Sequence, residues 1–366
     1  MAAYGGAGDR VDRRDYICSR PPSFVGGSSD GGVSYMLTAL LEFLASAAII
    51  IASGIGMART ADAISRVTGL GQLLGGALLV ATATSLPDLL VGINAVSNGW
   101  VDLAVGDLLG AALMNMLVLA GLDMLQPSRG RMLSRAAAAH ALSGTMAMTL
   151  LAITGIAVFI PDRLNVSVGG VGIGLWLVVG AYFLGLRLVF FDQQFAAKQA
   201  GQEAKRVSVG AAVRKPLIGY LMSASLIFVA APILARSADR LAELTGLGNT
   251  FFGTVFLPFS TTLPELVAGL TAVRMRAFAL VVGNVFGSIA FNLLLLAPID
   301  LAYDGSLMAV ASQAHVVTCF AAILVIAITV MGQLYHAEQR ISFIEPDALL
   351  IVVLVFAAFG LIYYLG

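Results

Sequence analysis

Two acidic residues directly follow prolines inside long apolar stretches, as Pro87-Asp88 and Pro264-Glu265. A proline removes one backbone donor and crowds the carbonyl four residues earlier, so each stretch is expected to break beside its acid. The freed carbonyls fall around Ala83-Thr84 and Ser260-Thr261, next to the hydroxyls of Thr84, Ser85, Thr261 and Thr262. Irregular backbone is tolerated inside a membrane where it lines a cavity. Carbonyls, hydroxyls and a carboxylate within one turn form a hard, all-oxygen set, suited to Na⁺, Ca²⁺ or Mg²⁺ and poorly suited to soft metals. A carboxylate at the centre of a membrane helix costs on the order of 2.5–3.5 kcal/mol. Two of them need a cation, a proton or a polar cavity to compensate. Snorkelling, or protonation as a structural hydrogen bonder, is the alternative for either acid taken singly. Their equivalent settings favour ion ligands.

A second pattern follows each acid. Gly106-Asp107-Leu-Leu-Gly110-Ala111 leads to Asn115, and Gly283-Asn284-Val-Phe-Gly287-Ser288 leads to Asn292. Positions 107, 111 and 115 step by four and share one helix face. The glycines let helices pack closely. Asn115, Asn292 and Ser288 are the stronger ligand candidates, with helix-to-helix hydrogen bonding as the alternative for the asparagines.

The elements that must hold these residues are membrane helices. Of 366 residues, 59% are hydrophobic and only 11% charged, against roughly a quarter charged in a soluble domain. Mean hydropathy is +0.92. The 21 basic and 21 acidic residues cancel, so no net field points to nucleic acid. Cys18 and Cys319 give no redox pattern. Residues 1–34 are polar and lack the apolar stretch of a cleavable signal, which predicts a disordered tail. Ten apolar stretches near bilayer length follow at about 35–58, 70–97, 100–122, 134–160, 167–190, 216–236, 248–273, 277–299, 307–333 and 346–365. A cytoplasmic loop is expected over 191–215. Arg59, Arg66, Arg129, Arg131, Lys205, Arg206, Lys215, Arg274 and Arg276 fall on one side. The short loops opposite carry Arg163, Arg236 and Arg240. The positive-inside rule then puts both termini outside.

The sequence matches itself on a shift of 177 residues. Ala58-Arg-Thr-Ala-Asp62 falls on Ala235-Arg-Ser-Ala-Asp239, and Thr84-Ser-Leu-Pro-Asp-Leu89 falls on Thr261-Thr-Leu-Pro-Glu-Leu266. Gly92, Gly106, Gly110 and Asn115 fall on Gly269, Gly283, Gly287 and Asn292. Shared composition does not align Arg, Asp, Pro, an acid and Asn in one register. Five spans per copy is an odd number, so the second copy enters the membrane from the opposite face. Such inverted repeats carry their substrate site near the bilayer midplane, where the copies meet. The expected fold is an all-α integral membrane protein of about ten transmembrane helices. Its repeats span 35–190 and 216–366, with motif regions at about 76–117 and 253–294.

These paired motifs resemble the alpha repeats of the sodium/calcium exchanger superfamily, the cation/calcium antiporters. There each repeat carries Gly/Ser-Thr-Ser-x-Pro-Glu followed by Gly-Asn-x-x-Gly-Ser-Asn-x-x-Asn. The resemblance implies that Asp88 and Glu265 are the central acidic ligands. It implies that Thr84, Ser85, Thr261 and Thr262 supply carbonyl and hydroxyl oxygens, and that Ser288, Asn115 and Asn292 complete the sites. The first copy is atypical, with Asp88 for Glu, Ala111 for Ser and Asp107 for Asn. Asp107 adds a formal charge on the ligand face and joins the candidate set.

The expected function is secondary-active antiport of Ca²⁺ or a related cation against Na⁺ or H⁺ by alternating access. A cation channel and a transport-degenerate cation-binding membrane protein are the rivals. No P-loop or hydrolase constellation is present, so no enzyme and no cofactor are expected. The partners are a lipid bilayer, in a plasma or inner membrane, and inorganic cations as transported ligands. Arg59 with Asp62 is read as an end-of-helix pair, Glu42 as a snorkelling acid, and His140, His315 and His336 as structural.

Overall fold

A computed structural model of the chain describes residues 29–69, 71–125, 141–160, 166–199, 209–245, 261–335 and 346–365. The first repeat comprises α1 (Ser29–Thr68), α2 (Gln72–Ser97), α3 (Val101–Met124), α4 (Ala141–Phe159) and α5 (Ile173–Gln199). The second comprises α6 (Val209–Thr245), α7 (Leu263–Arg274), α8 (Phe278–Leu301), α9 (Ala314–Tyr335) and α10 (Pro346–Leu365). Eight of these helices are long and apolar enough to cross a bilayer, and α10 adds a shorter apolar stretch, Ala348–Ile362.

The outer helices outrun their apolar cores. α1 begins at Ser29, inside the stretch read as tail, and continues to Thr68. Residues 1–28 lie outside the described residues. α6 runs through Arg240 to Thr245. Beyond Arg59 the helix still buries Ala61, Ile64 and Ser65, and that one-sided burial sustains it. The loop expected over 191–215 is narrower, because α5 reaches Gln199 and α6 starts at Val209. One expected helix start fails: Ser167–Val168 and Val171–Gly172 form a small antiparallel hairpin, β1 and β2, before α5. Gly169 and Gly170 turn it at φ 63° and 85°, the left-handed pair that a two-residue hairpin turn demands.

α8 is the most buried span and packs on α2, α3, α4 and α5. Its approach to α2 is backbone to backbone. A Cβ on Gly76 would sit 2.6 Å from the Asn284 nitrogen, and Cβ atoms on Gly283 and Gly287 would strike Leu73 and Ala77. Glycines at 283 and 287 therefore do the packing expected of them. Gly106 instead lies against the His315 ring, 3.3 Å from where a Cβ would stand.

α1 and α6 pair antiparallel on one flank. Gly56 abuts Ser223, Gly219 abuts Thr60, and Glu42 meets Arg240 at 3.0 Å. α1 packs on α7 and α6 on α2, so each outer helix rests on the acid-bearing helix of the other repeat.

Candidate functional site

In the first repeat the helix does not break at Pro87. It is continuous from Gln72 to Ser97, and its irregularity lies upstream, in a π-helical turn at Gly75–Val80. Proline removes its own N–H bond and crowds the Ala83 carbonyl, yet the helix carries it without a break, and the π turn lies instead where the two glycines meet α8. The Tyr220 hydroxyl on α6 donates to the Leu79 carbonyl in this turn at 2.9 Å. The Thr84 hydroxyl donates back to Val80 and Ala81 at 3.0 and 3.2 Å. The carbonyl left without a helical donor by Pro87 is that of Ala83, one turn before the proline.

The second repeat is different. Helical order is interrupted at Thr262, which precedes α7 with φ −86° and ψ 1°, and Pro264 lies in the first turn. A proline there costs little, since first-turn N–H groups have no intrahelical acceptor. Glu265 also occupies that first turn, where the helix dipole favours an anion. Ser260 falls outside the described residues.

The two motifs meet. Ser85 of α2 donates to the Glu265 carboxylate of α7 at 3.4 Å, and Thr84 lies close to the same carboxylate. Asp88 is within electrostatic reach of Glu265 and Asp107, with the Asn292 side chain beside it. Asp88, Glu265, Thr84, Ser85, Thr262, Asn115, Asn292 and Ser288 are all buried. Thr261 and Asp107 are partly so. Thr84, Ser85 and Asp88 of α2, Asp107 of α3, Glu265 of α7 and Asn292 of α8 thus come together, whereas no hydrogen bond joins the Asn115 or Ser288 side chain to them among the described residues.

Some of their polar atoms are unsatisfied among the described residues. Among the described residues, both amide atoms of Asn115, the Ser288 hydroxyl, Glu265 Oε2 and Asn284 Oδ1 are buried without a hydrogen-bond partner. Leaving a buried donor or acceptor unpaired costs roughly 1–3 kcal/mol. Among the described residues no three His, Cys, Asp or Glu side chains gather closely enough to hold a metal alone. The amide and hydroxyl oxygens must therefore carry much of any coordination, as suits a hard cation.

Asn284 was not among the residues singled out. Its Nδ2 donates to the Glu265 backbone carbonyl at 3.5 Å, which tethers α8 to α7. Its place in the motif, opposite Asp107, was the available clue.

Other expectations shift. Asp62 pairs with Arg66 at 2.9 Å and accepts from Gln72 at 2.7 Å, so Arg59 is not its partner. One further helical residue of separation brings the guanidinium over the carboxylate. Glu42 pairs with Arg240 on the opposite repeat. His315 meets Asp102 at 3.1 Å, whereas His140 and His336 lie outside the described residues.

Comparison with known proteins follows the same lines. The model of the sodium/calcium exchanger protein family matches residues 38–185 and 215–363. The putative antiporter CaxA of Alkalimonas amylolytica is 24% identical over 268 residues, 71% of this chain and 79% of that protein. Inner membrane protein YrbG of Escherichia coli K12 is 25% identical over 71% of this chain and 78% of its own. The sodium/calcium exchanger MaX1 of Methanosarcina acetivorans is 32% identical over 82 residues, 22% of this chain and 23% of its own. The solved structure of the exchanger NCX_Mj soaked with 100 mM Na⁺ and 10 mM Sr²⁺ superposes with a TM-score of 0.66. It is 16% identical, covering 89% of this chain and 98% of that one, which is a likeness of fold.

Proposed function

Because this integral membrane chain belongs to the sodium/calcium exchanger protein family, we propose that it is a secondary-active antiporter, exchanging Ca²⁺ or a related cation against Na⁺ or H⁺. The observation that supports this reading is that the buried Asp88 and Glu265, one from each repeat, lie within electrostatic reach of one another. A divalent cation takes six to eight oxygen ligands. Asp88 and Glu265 supply the charge. Thr84, Ser85, Thr261 and Thr262 supply hydroxyl and carbonyl oxygens, and Asn115, Asn292 and Ser288 supply neutral ones. Asp107 adds a further negative charge at the edge of the pocket.

Two carboxylates in one small site cannot both stay ionised and empty at modest cost. One divalent ion, or several Na⁺ or protons, relieve that repulsion, and these occupancies exclude one another. An empty pocket carrying the uncompensated charge reorients slowly, and exchange becomes obligatory. Alternating access proceeds by rocking or sliding of α1 and α6 across the core of α2, α3, α7 and α8. The antiparallel α1–α6 pair, resting on α7 and α2 at one flank, supports that division. The membrane is a plasma or inner membrane with both termini outside, on the Lys and Arg distribution.

Purified protein in liposomes, with imposed Na⁺ or pH gradients and Ca²⁺, Mg²⁺ or Mn²⁺ inside, tests the reading. Antiport requires divalent flux that stops when the counter-ion gradient is removed and is lost in Glu265→Gln. Flux indifferent to the counter-ion, or intact in that variant, overturns it.

A further inference from the structure

The 177-residue register extends past the motifs and sets Asp123 of α3 on Asp300 of α8. Each aspartate lies in the last turn of a helix that carries candidate ligands, and each is buried, 1% and 0% exposed. A carboxylate at a helix C-terminus opposes the helix dipole, and burying it adds a desolvation cost. Asp300 answers that cost with two backbone donors. Its Oδ2 accepts the Gly172 N–H at 2.8 Å, and its Oδ1 accepts the Leu307 N–H at 2.6 Å. Gly172 ends the hairpin of the first repeat, and Leu307 opens a one-turn helix, Leu307–Val310, between α8 and α9. One carboxylate therefore joins α8 to both repeats.

The segment after α8 is fastened again further on. Asp102, at the start of α3, accepts the Ser312 N–H at 2.7 Å and meets His315 at 3.1 Å. Gln313 donates to the Val158 carbonyl of α4 at 2.8 Å. At its other end α8 is wedged against Leu73 and Ala77 through Gly283 and Gly287. Asn292 stands two turns from Asp300, about 12 Å along the axis. Asp300 sits away from the pocket, and its two bonds add polar anchors to the apolar packing of the buried Leu295, Leu296 and Ile299 at this end of α8.

We propose that Asp300 is a positioning residue for the cation pocket. It sets the height and rotation of α8, and with them the placement of Asn284, Ser288 and Asn292 relative to Asp88 and Glu265. The inference rests on the antiporter reading of that pocket. Asp300→Asn keeps the size but turns an amide donor toward one of the two N–H groups. Leu307→Pro leaves Asp300 intact and removes one of its donors. Proline suits the first position of a helix, and Ser306 before it is already extended, with φ −113° and ψ 114°.

Each variant is compared with the wild type by Ca²⁺ flux in proteoliposomes and by Ca²⁺-dependent thermal stabilisation in detergent. Misplaced ligands raise half-saturating Ca²⁺ about tenfold in both assays while the maximal rate stays within about twofold. Unchanged half-saturation in a folded variant overturns the proposal, as does a loss confined to maximal rate or yield. Should Asp300→Asn fail to fold, Leu307→Pro decides; failure of both makes the clamp structural and also overturns it. A wild type that Ca²⁺ stabilises without counter-ion-dependent flux sinks the antiport reading alone, and the thermal shifts then still decide the role of Asp300.

Discussion

The two repeats carry one motif on two different backbones. In the second, a helix starts at Leu263, Pro264 sits harmlessly in its first turn, and Glu265 lies at the positive end of the dipole. In the first, the helix runs unbroken through Pro87, and the distortion moves upstream to the π turn at Gly75–Val80. Asp88 therefore lies in the interior of a helix, well past its first turn. The side chains differ in the same sense. Asn284 bonds the Glu265 carbonyl, while its counterpart Asp107 lies within electrostatic reach of Asp88, and four residues on, Ser288 is matched by Ala111. The first repeat holds more negative charge and one fewer hydroxyl. A motif thus fixes which atoms are brought together, while neighbouring helices decide where the backbone yields.

That contrast is tested most sharply by neutralising each acid. Glu265→Gln is expected to reduce cation-dependent flux by about 100-fold or more, the equivalent of about 3 kcal/mol for a lost buried charge. Asp88→Asn should cost less, about tenfold, because Asp107 still supplies a negative charge beside it. Equal losses, measured as initial rates in liposomes, would show that Asp107 does not share the load. Ser288→Ala removes one neutral ligand and should raise half-saturating Ca²⁺ by about five- to tenfold. Ala111→Ser restores the missing hydroxyl to the first repeat and should lower it by about threefold; a rise would mean that the pocket there has no room for the group. The smallest effect is expected at the π turn. Tyr220→Phe deletes the donor to the Leu79 carbonyl and should lower stability by about 1 kcal/mol, read by thermal unfolding in detergent.

The parts legible in the sequence were those that depend on chemistry at fixed spacing. Pro-acid pairs and Gly-x-x-x-Gly steps repeat because each copy must place similar atoms, and the 177-residue shift exposes them. Helix lengths were less legible. Hydropathy sees the lipid-facing part of α1 but not its polar continuation, which buries Ala61 and Ile64 against neighbours distant in sequence. The π turn was hidden for the same reason, since it lies where Gly76 meets the backbone of α8, a contact between residues distant in sequence. Asn284 was overlooked because its partner is a backbone carbonyl nineteen residues earlier, and main-chain acceptors leave no trace in residue identity. Asp62 had two arginines within reach, and only the helix geometry selects Arg66 over Arg59.

α1 is 40 residues long, about 60 Å at 1.5 Å per residue, roughly twice the thickness of a hydrocarbon core. So long a rod lies obliquely or projects well beyond the headgroups, and its angle answers to the width of the surrounding lipid. Membranes built from longer acyl chains draw it toward upright, and thinner ones lay it flatter. Turnover in vesicles of graded chain length should accordingly pass through an optimum, which would make the host lipid a silent regulator of the carrier.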